Sequence, residues 1–311
     1  MAPPRIAIFG PHPVLTVTIE SEAQGARRER VHFHPGGQGV WVARIAAELG
    51  AEPVLCGFLG GEGGALLRPL LEAMAGDRRL VETEAESGCV VTDRRGDERT
   101  PLTMAFSDPP SRHELDELFS ATTAEALACG WLVVANPLPA EALPLEVYGN
   151  LVADARANGA RTLVDLSPPR LDSALEGEPD LVKINDWELA SYVRGPVDTP
   201  ARLRGAAERL RAAGARSVIV TRGEEPALVL HGERAWLIVP PRFERGYREG
   251  CGDTMMGALA AVWAQGESFE RAVVVGAAAG AAAFLRRGLG SPTREVVEEL
   301  TAQVREEPFR A

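Results

Sequence analysis

The segment Gly250-Cys251-Gly252-Asp253-Thr254 opens the apolar helical run Gly252–Ala264. Glycines just ahead of a helix let several backbone N–H groups converge on one point, and the helix start adds a partial positive charge there. Such a point holds an anion. A carboxylate in the first turn, Asp253, then lies beside that anion and can take a proton from an attacking hydroxyl, the arrangement a phosphoryl transfer uses. The same residues also fit a plain helix start after a glycine turn, with Asp253 serving only as a cap.

Upstream of this junction, short β-type runs alternate with helical patterns, the signature of βαβ units around a parallel sheet. The strand candidates are Arg5–Phe9, Pro53–Phe58, Trp131–Ala135, Arg161–Asp165, Leu181–Ile184 and Ser217–Thr221; Gly39–Leu49 and Ala201–Ala213 are among the intervening helices. Right-handed crossovers would cover both faces with helices, an α/β fold. Two stretches break the alternation: Leu15–Phe33, and Cys89–Phe106 with its turn Asp93-Arg94-Arg95-Gly96-Asp97. Alternating residues and turn chemistry there suggest antiparallel strands in a small accessory sheet, within about residues 11–35 and 88–107. From Cys251 onward the chain reads as three helices, Gly252–Ala264, Phe269–Leu285 and Thr293–Val304. With no repeat, linker or low-complexity segment, residues 1–311 are expected to form one domain.

Composition narrows the function. Of 311 residues, 45% are apolar and 25% charged, which suits a globular chain with a sizeable core. The formal charge of −11 repels a phosphate backbone, so nucleic acid is not an expected partner, and any anionic ligand needs a local positive site. Cys56, Cys89, Cys129 and Cys251 show no C-x-x-C spacing and read as reduced thiols. The first ten residues look like a strand rather than a secretion signal, and the apolar run at 272–285 is too short to cross a bilayer. No membrane association is expected, and the cytoplasm is the expected location.

Three more elements carry possible chemistry. Pro35-Gly36-Gly37-Gln38-Gly39 precedes a helix and could let a small polar ligand approach the backbone, or could be only a strand-to-helix turn. In Lys183-Ile184-Asn185-Asp186-Trp187-Glu188, Asn185 and Glu188 share one face of a helix start. There they can hold a hydrated Mg²⁺ through water or can form a capping box. Lys183 is the only lysine in the chain. Thr221-Arg222-Gly223 ends a β-type run, a common place for ligand loops in an open α/β sheet. There is no P-loop, G-x-G-x-x-G, G-x-S-x-G or H-E-x-x-H motif, and the five histidines lack catalytic spacing; His32 and His34 read as surface residues.

Taken in order, these elements resemble the ribokinase-like (PfkB-type) carbohydrate kinase family, most closely its 1-phosphofructokinase and tagatose-6-phosphate kinase branch. The likeness covers nearly the whole chain. Gly36-Gly37-Gln38-Gly39 with Val42-Ala43-Arg44 is similar to the family's first signature, and Asp165, Lys183, Asn185 and Glu188 to its central D…K-x-N-x-x-E segment. Gly250-Cys251-Gly252-Asp253 is similar to the second signature, G-A-G-D, the most specific of the three. The resemblance implies a three-layer αβα, doubly wound, mostly parallel sheet with a small β-sheet lid. It implies ATP-dependent transfer of the γ-phosphate to a sugar hydroxyl, with Asp253 as base and the amides of Gly250, Cys251 and Gly252 as an anion hole. Asn185 and Glu188 would organise Mg²⁺ through water, and Lys183, Thr221 and Gly223 would lie on the nucleotide side. Thr16, Gly36, Gly37, Gln38, Trp41 and Ser87 fall where the acceptor would be touched, and a homodimer through the lid is a further expectation.

The departures fall mostly on the acceptor side. Gln38 and Trp41 stand where the first signature usually has Lys and Asn; Thr16 replaces an expected acidic residue and Ser87 an expected Arg. On the nucleotide side, Pro226 replaces an expected glycine. No phosphate-binding Arg or Lys is evident for the acceptor. The resulting expectation is a kinase for a sugar or sugar-like acceptor that need not carry a phosphate, with fructose 1-phosphate, fructose 6-phosphate and tagatose 6-phosphate as poor substrates. Two alternatives stay open: a 1-phosphofructokinase or tagatose-6-phosphate kinase proper, and a catalytically weak regulator that binds a nucleotide or metabolite.

Overall fold

A computed structural model describes residues 2–21, 29–96, 100–286 and 291–310; Asp97 of the expected turn lies outside them. The strands are β1 (Arg5–Phe9), β2 (Val14–Ser21), β3 (Glu29–Gly36), β4 (Glu52–Gly60), β5 (Asp77–Thr83), β6 (Cys89–Arg94), β7 (Thr100–Ala105), β8 (Trp131–Ala135), β9 (Arg161–Asp165), β10 (Leu181–Asn185), β11 (Ser217–Arg222), β12 (Glu225–His231), β13 (Arg234–Val239) and β14 (Arg305–Pro308). The α-helices are α1 (Gln38–Glu48), α2 (Gly61–Glu72), α3 (Arg112–Cys129), α4 (Glu146–Ala157), α5 (Arg170–Glu176), α6 (Asp186–Val193), α7 (Pro200–Ala212), α8 (Cys251–Ala264), α9 (Phe269–Phe284) and α10 (Arg294–Thr301).

The large sheet has the order β14-β13-β12-β11-β10-β9-β8-β1-β4-β5, parallel from β11 to β5 and antiparallel from β11 to β14. Its central strands are apolar on both faces, which is why they read as continuous runs. In β1, Ile6 and Ile8 face the layer of α1, α2, α8, α9 and α10, while Ala7 and Phe9 face that of α3 to α7. The fold is a three-layer α/β arrangement with a mostly parallel sheet. The second sheet, β3-β2-β6-β7, is mixed rather than antiparallel throughout, because β2 and β6 pair in parallel.

Two regions depart from the sequence reading. The antiparallel β12–β13 hairpin continues the large sheet where another helix would follow in strict alternation. The C-terminal helix also stops at Thr301, and Arg305–Pro308 returns as a strand against β13. One contact sets the position of the site. A Cβ on Gly257 of α8 would lie 2.4 Å from the Val42 carbonyl oxygen and 2.5 Å from Ile45 Cγ2 of α1, so α8 crosses α1 at backbone distance. That crossing brings the starts of both helices together, with Trp41 Cδ2 4.0 Å from where a Cβ of Gly250 would stand.

Candidate active site

Parallel strands send their connecting loops out at one sheet edge, and ligands of open α/β sheets bind there. A cavity of about 950 Å³ opens at the carboxyl ends of the central strands and is walled on one side by Val14, Thr16, Val90 and Met104 of the small sheet. Its lining brings together Gly37, Gln38, Trp41, Lys183, Asn185, Glu188, Thr221, Gly223 and Gly250 to Asp253, residues far apart in sequence. Gly36 and Ser87 are not among the lining residues. Gly36 packs behind the wall, where a Cβ would lie 2.5 Å from Thr16 Oγ1. The Ser87 hydroxyl accepts the Gly60 N–H at 3.1 Å, which holds the loop before β6 and turns the side chain away from the cavity.

Gly250 adopts φ 77°, a left-handed conformation that suits glycine, and α8 starts after it without a side-chain cap. The Cys251 amide donates to the Arg248 carbonyl at 3.3 Å, so the first-turn amides left without a helical acceptor are those of Gly252 and Asp253. Of the three amides expected to converge on an anion, only that of Gly252 is therefore among the two first-turn amides left open, and the Asp253 amide joins it. The Cys251 thiol is pushed up to about 11 by burial, which suppresses its thiolate at neutral pH. Asp253 is partly open to the cavity. Its carboxyl is raised to about 7 by burial and by Asp165, with Glu249 and Glu188 adding and Lys183 opposing.

Beneath this helix start, Lys183 Nζ meets Asp165 Oδ2 at 2.8 Å, with the two side chains 6% and 9% exposed. Burial alone would lower the lysine, but Asp165, Asp253 and Glu188 together raise it above its ordinary value, so it stays charged. A Cβ on Gly252 would come within 3.1 Å of Nζ, so the missing side chain lets the ammonium approach the first turn of α8. Lys183 is thus a buried charge under the site rather than an exposed clamp.

The Asn185 carboxamide accepts the Glu188 N–H at 2.8 Å, and Glu188 Oε2 accepts the Asn185 N–H at 3.3 Å, forming a capping box. The box fixes both side chains at the cavity wall. Burial and Asp165 raise the Glu188 carboxyl above its ordinary value. Thr221 Oγ1 donates to the Ile184 carbonyl at 3.4 Å, and Gly223, at φ 62°, turns the β11–β12 hairpin. Among the described residues no group of three or more His, Cys, Asp or Glu side chains is arranged to hold a metal ion by itself.

On the other flank, Trp41 is half-buried, with the Arg44 and Arg286 guanidinium carbons 5.2 Å and 5.0 Å from its ring centroid. It faces the cavity rather than the core. Gln38 Oε1 accepts the Asn136 N–H at 2.8 Å, which ties α1 to β8 and commits the oxygen expected to meet a ligand. The lining also includes His12, Asn136, Ser167 and Arg170, which were not singled out by sequence. His12 is 6% exposed, and burial lowers it to about 4, so its ring is neutral. Arg170 is 4% exposed, a basic group in the cavity wall that the sequence reading lacked.

The folded state binds the Asp253 proton more tightly than the unfolded chain, so this group's contribution to stability falls as pH rises from about 3.8 to about 7. Asp253→Asn removes that loss. It should unfold at higher denaturant than the parent at pH 8, by about 1–3 kcal/mol, with the gap closing near pH 4. Urea titrations at both pH values measure it; equal midpoints at pH 8 would show that the carboxyl is not strained.

The pfkB family carbohydrate kinase model matches residues 13–295. The ATP-dependent 6-phosphofructokinase isozyme 2 of Escherichia coli (strain K12) is 32% identical over 262 residues, covering 82% of this chain and 83% of that protein. The 1-phosphofructokinase of Rhodobacter capsulatus is 32% identical over 229 residues, covering 72% and 71%. Among solved structures, phosphofructokinase-2 from Escherichia coli in complex with potassium superposes with a TM-score of 0.84 at 28% identity, covering 96% of this chain and 99% of that one. The match to the family model over most of the chain, together with these likenesses, places the chain in the pfkB family of carbohydrate kinases, with a ribokinase-like fold.

Proposed function

We propose that this kinase transfers the γ-phosphate of ATP to a hydroxyl of a sugar or sugar-like acceptor, with Asp253 as general base. One observation carries the reading: a carboxyl poised near neutral pH stands in the first turn of α8, beside amides that lack helical acceptors and above a buried ammonium. The acceptor hydroxyl gives its proton to Asp253 as its oxygen attacks the phosphorus. Negative charge developing on the phosphoryl oxygens meets the amides of Gly252 and Asp253, with Lys183 behind them. Thr221 and Gly223 lie on the nucleotide side, and Gln38, Trp41 and Thr16 on the acceptor side.

Mg²⁺ suits the donor set, since burial and the neighbouring Asp165 carboxylate raise the proton affinity of both Glu188 and Asp253, and a divalent cation would relieve the repulsion among these carboxylates. Asn185 and Glu188 would hold it through water, and it would neutralise phosphate charge when bound. Residues 1–311 act as one unit in the cytoplasm, with the small sheet as lid over the acceptor.

A second copy of the chain is the partner that the small sheet fits. Val31, Phe33 and Leu102 are each 53% exposed on it, and phosphofructokinase-2 of Escherichia coli has been solved in a tetrameric inhibited form. Sedimentation should show at least a dimer for the parent and a monomer for Phe33→Asp; a monomeric parent rules this assembly out.

Asp253→Asn should lower kcat by about 100- to 10,000-fold while ATP affinity holds. The parent's kcat/KM should fall as pH drops below about 7 and the base is protonated. Initial rates of ADP formation over an acceptor panel check both, and an Asn variant with near-parental kcat sinks the assignment. Glu188→Gln should raise the Mg²⁺ concentration for half-maximal rate and leave the acceptor KM within about twofold. An unmoved Mg²⁺ dependence would reduce the Asn185–Glu188 pair to its cap.

A further inference from the structure

Arg94, the last residue of β6, joins the small sheet to the body of the chain at a point away from their connecting loops. Its guanidinium carbon lies 4.8 Å from the centroid of the Tyr247 ring, and its Nη1 donates to Glu20 Oε1 of the neighbouring strand β2 at 2.9 Å. The Arg94 side chain is only 10% exposed, so the cation meets the ring largely out of water, where such contacts are strongest. Glu20 orients the guanidinium from its own sheet.

Tyr247 belongs to the segment between β13 and α8, whose residues Phe243, Arg248 and Glu249 line the cavity. Its N–H donates at 2.8 Å to the carbonyl of Phe284, the last residue of α9. One residue earlier, a Cβ on Gly246 would stand 2.2 Å from that same oxygen, so the segment passes the end of α9 at backbone distance. Toward α8, the Cys251 thiol donates to the Tyr247 carbonyl at 3.3 Å, and the Cys251 amide donates to the next carbonyl, that of Arg248. Thr254 then donates to the Gly250 carbonyl twice, from its amide at 2.9 Å and from its hydroxyl at 2.7 Å. Since α8 starts without a side-chain cap, these bonds are what shape its first turn. A continuous set of contacts thus runs from the small sheet to the turn that bears the Gly252 and Asp253 amides and the Asp253 carboxyl. The end of α9 holds Tyr247 by its backbone, and the small sheet holds it by its ring.

We propose that Tyr247 is a positioning residue: with Arg94 seated on its ring, it holds the first turn of α8 in the geometry that transfer requires. The small sheet then sets the reaction centre as well as covering the acceptor. This rests on the kinase reading of the cavity. Positioning acts on the alignment of the reacting groups, where a displacement of about 1 Å can cost about 100-fold in rate. The open amides of the turn meet charge that develops on the transferred group, so a loosened turn lowers kcat and leaves the binding of a nucleotide without a γ-phosphate nearly unchanged.

The test reads the turn directly, by amide hydrogen exchange of the full chain without nucleotide. Arg94→Gln removes the cation from the side of the small sheet, and Tyr247→Leu removes the ring from the other side. Each should speed exchange at Thr254, Met255 and Met256 by at least about threefold while the amides of β9 and β10 keep their parental rates. Arg94→Lys, which keeps a cation for the ring, should restore most of the protection. In steady state, with fructose, fructose 1-phosphate and fructose 6-phosphate tried as acceptors and the fastest kept, each of the two variants should lower kcat about tenfold or more and hold MgADP affinity within about twofold. Unchanged exchange at the turn, an acceleration spread equally over β9 and β10, or a faster turn with parental kcat each overturn the proposal. Should one variant fail to fold by circular dichroism, the other decides by the same criteria. A parent that forms no ADP with any acceptor, while the variants loosen the turn selectively, would overturn the kinase reading and leave the anchoring of the turn standing.

Discussion

A buried ion pair organises this molecule. Lys183, in the middle of β10, and Asp165, the last residue of the neighbouring parallel strand β9, meet at 2.8 Å with almost no exposure. Two charges out of water are tolerated only when paired and further satisfied, and removing either partner would strand the other. The pair therefore fixes β9 and β10 against each other and delivers one ammonium to the start of α8. Three carboxyls then crowd one cation, and burial together with that crowding lifts the proton affinity of Asp253 toward neutrality.

Position depends on the α1–α8 crossing as much as on charge. The absent side chain at Gly257 lets α8 approach Val42 and Ile45, so Trp41 and Asp253 share one end of the cavity. The small sheet closes the same space from above with Val14, Thr16, Val90 and Met104. Rigid strands supply the charged centre, and loops and helix starts supply the surfaces that choose ligands.

Much of this was legible in the sequence because it is local. The parallel strands stand out as apolar runs such as Arg5–Phe9 and Trp131–Ala135, since both of their faces are buried. The glycines around Cys251, the Asn185–Glu188 spacing and the lone lysine also announce themselves within a few residues. What escaped depends on pairing across the chain. Gln38 reads as a ligand contact until Asn136, 98 residues away, takes its oxygen. Ser87 reads the same way until Gly60 claims its hydroxyl. Arg170 looks like any surface arginine until Asn136, 34 residues earlier, is seen to hold it. The β12–β13 hairpin was hidden differently: its apolar runs resemble further parallel strands, and only the absence of a helix between them reveals the change of direction.

The C-terminal strand has a consequence for how copies of this chain can meet. β14 is four residues long, carries Arg305, Glu306 and Glu307, and ends in Pro308, which has no N–H to offer a further strand. At the opposite rim, β5 carries Asp77, Arg78, Arg79 and Glu82. Both margins of the ten-stranded sheet are thus poor templates for backbone pairing with another molecule, and a newly made chain is guarded there against stacking into continuous β-structure.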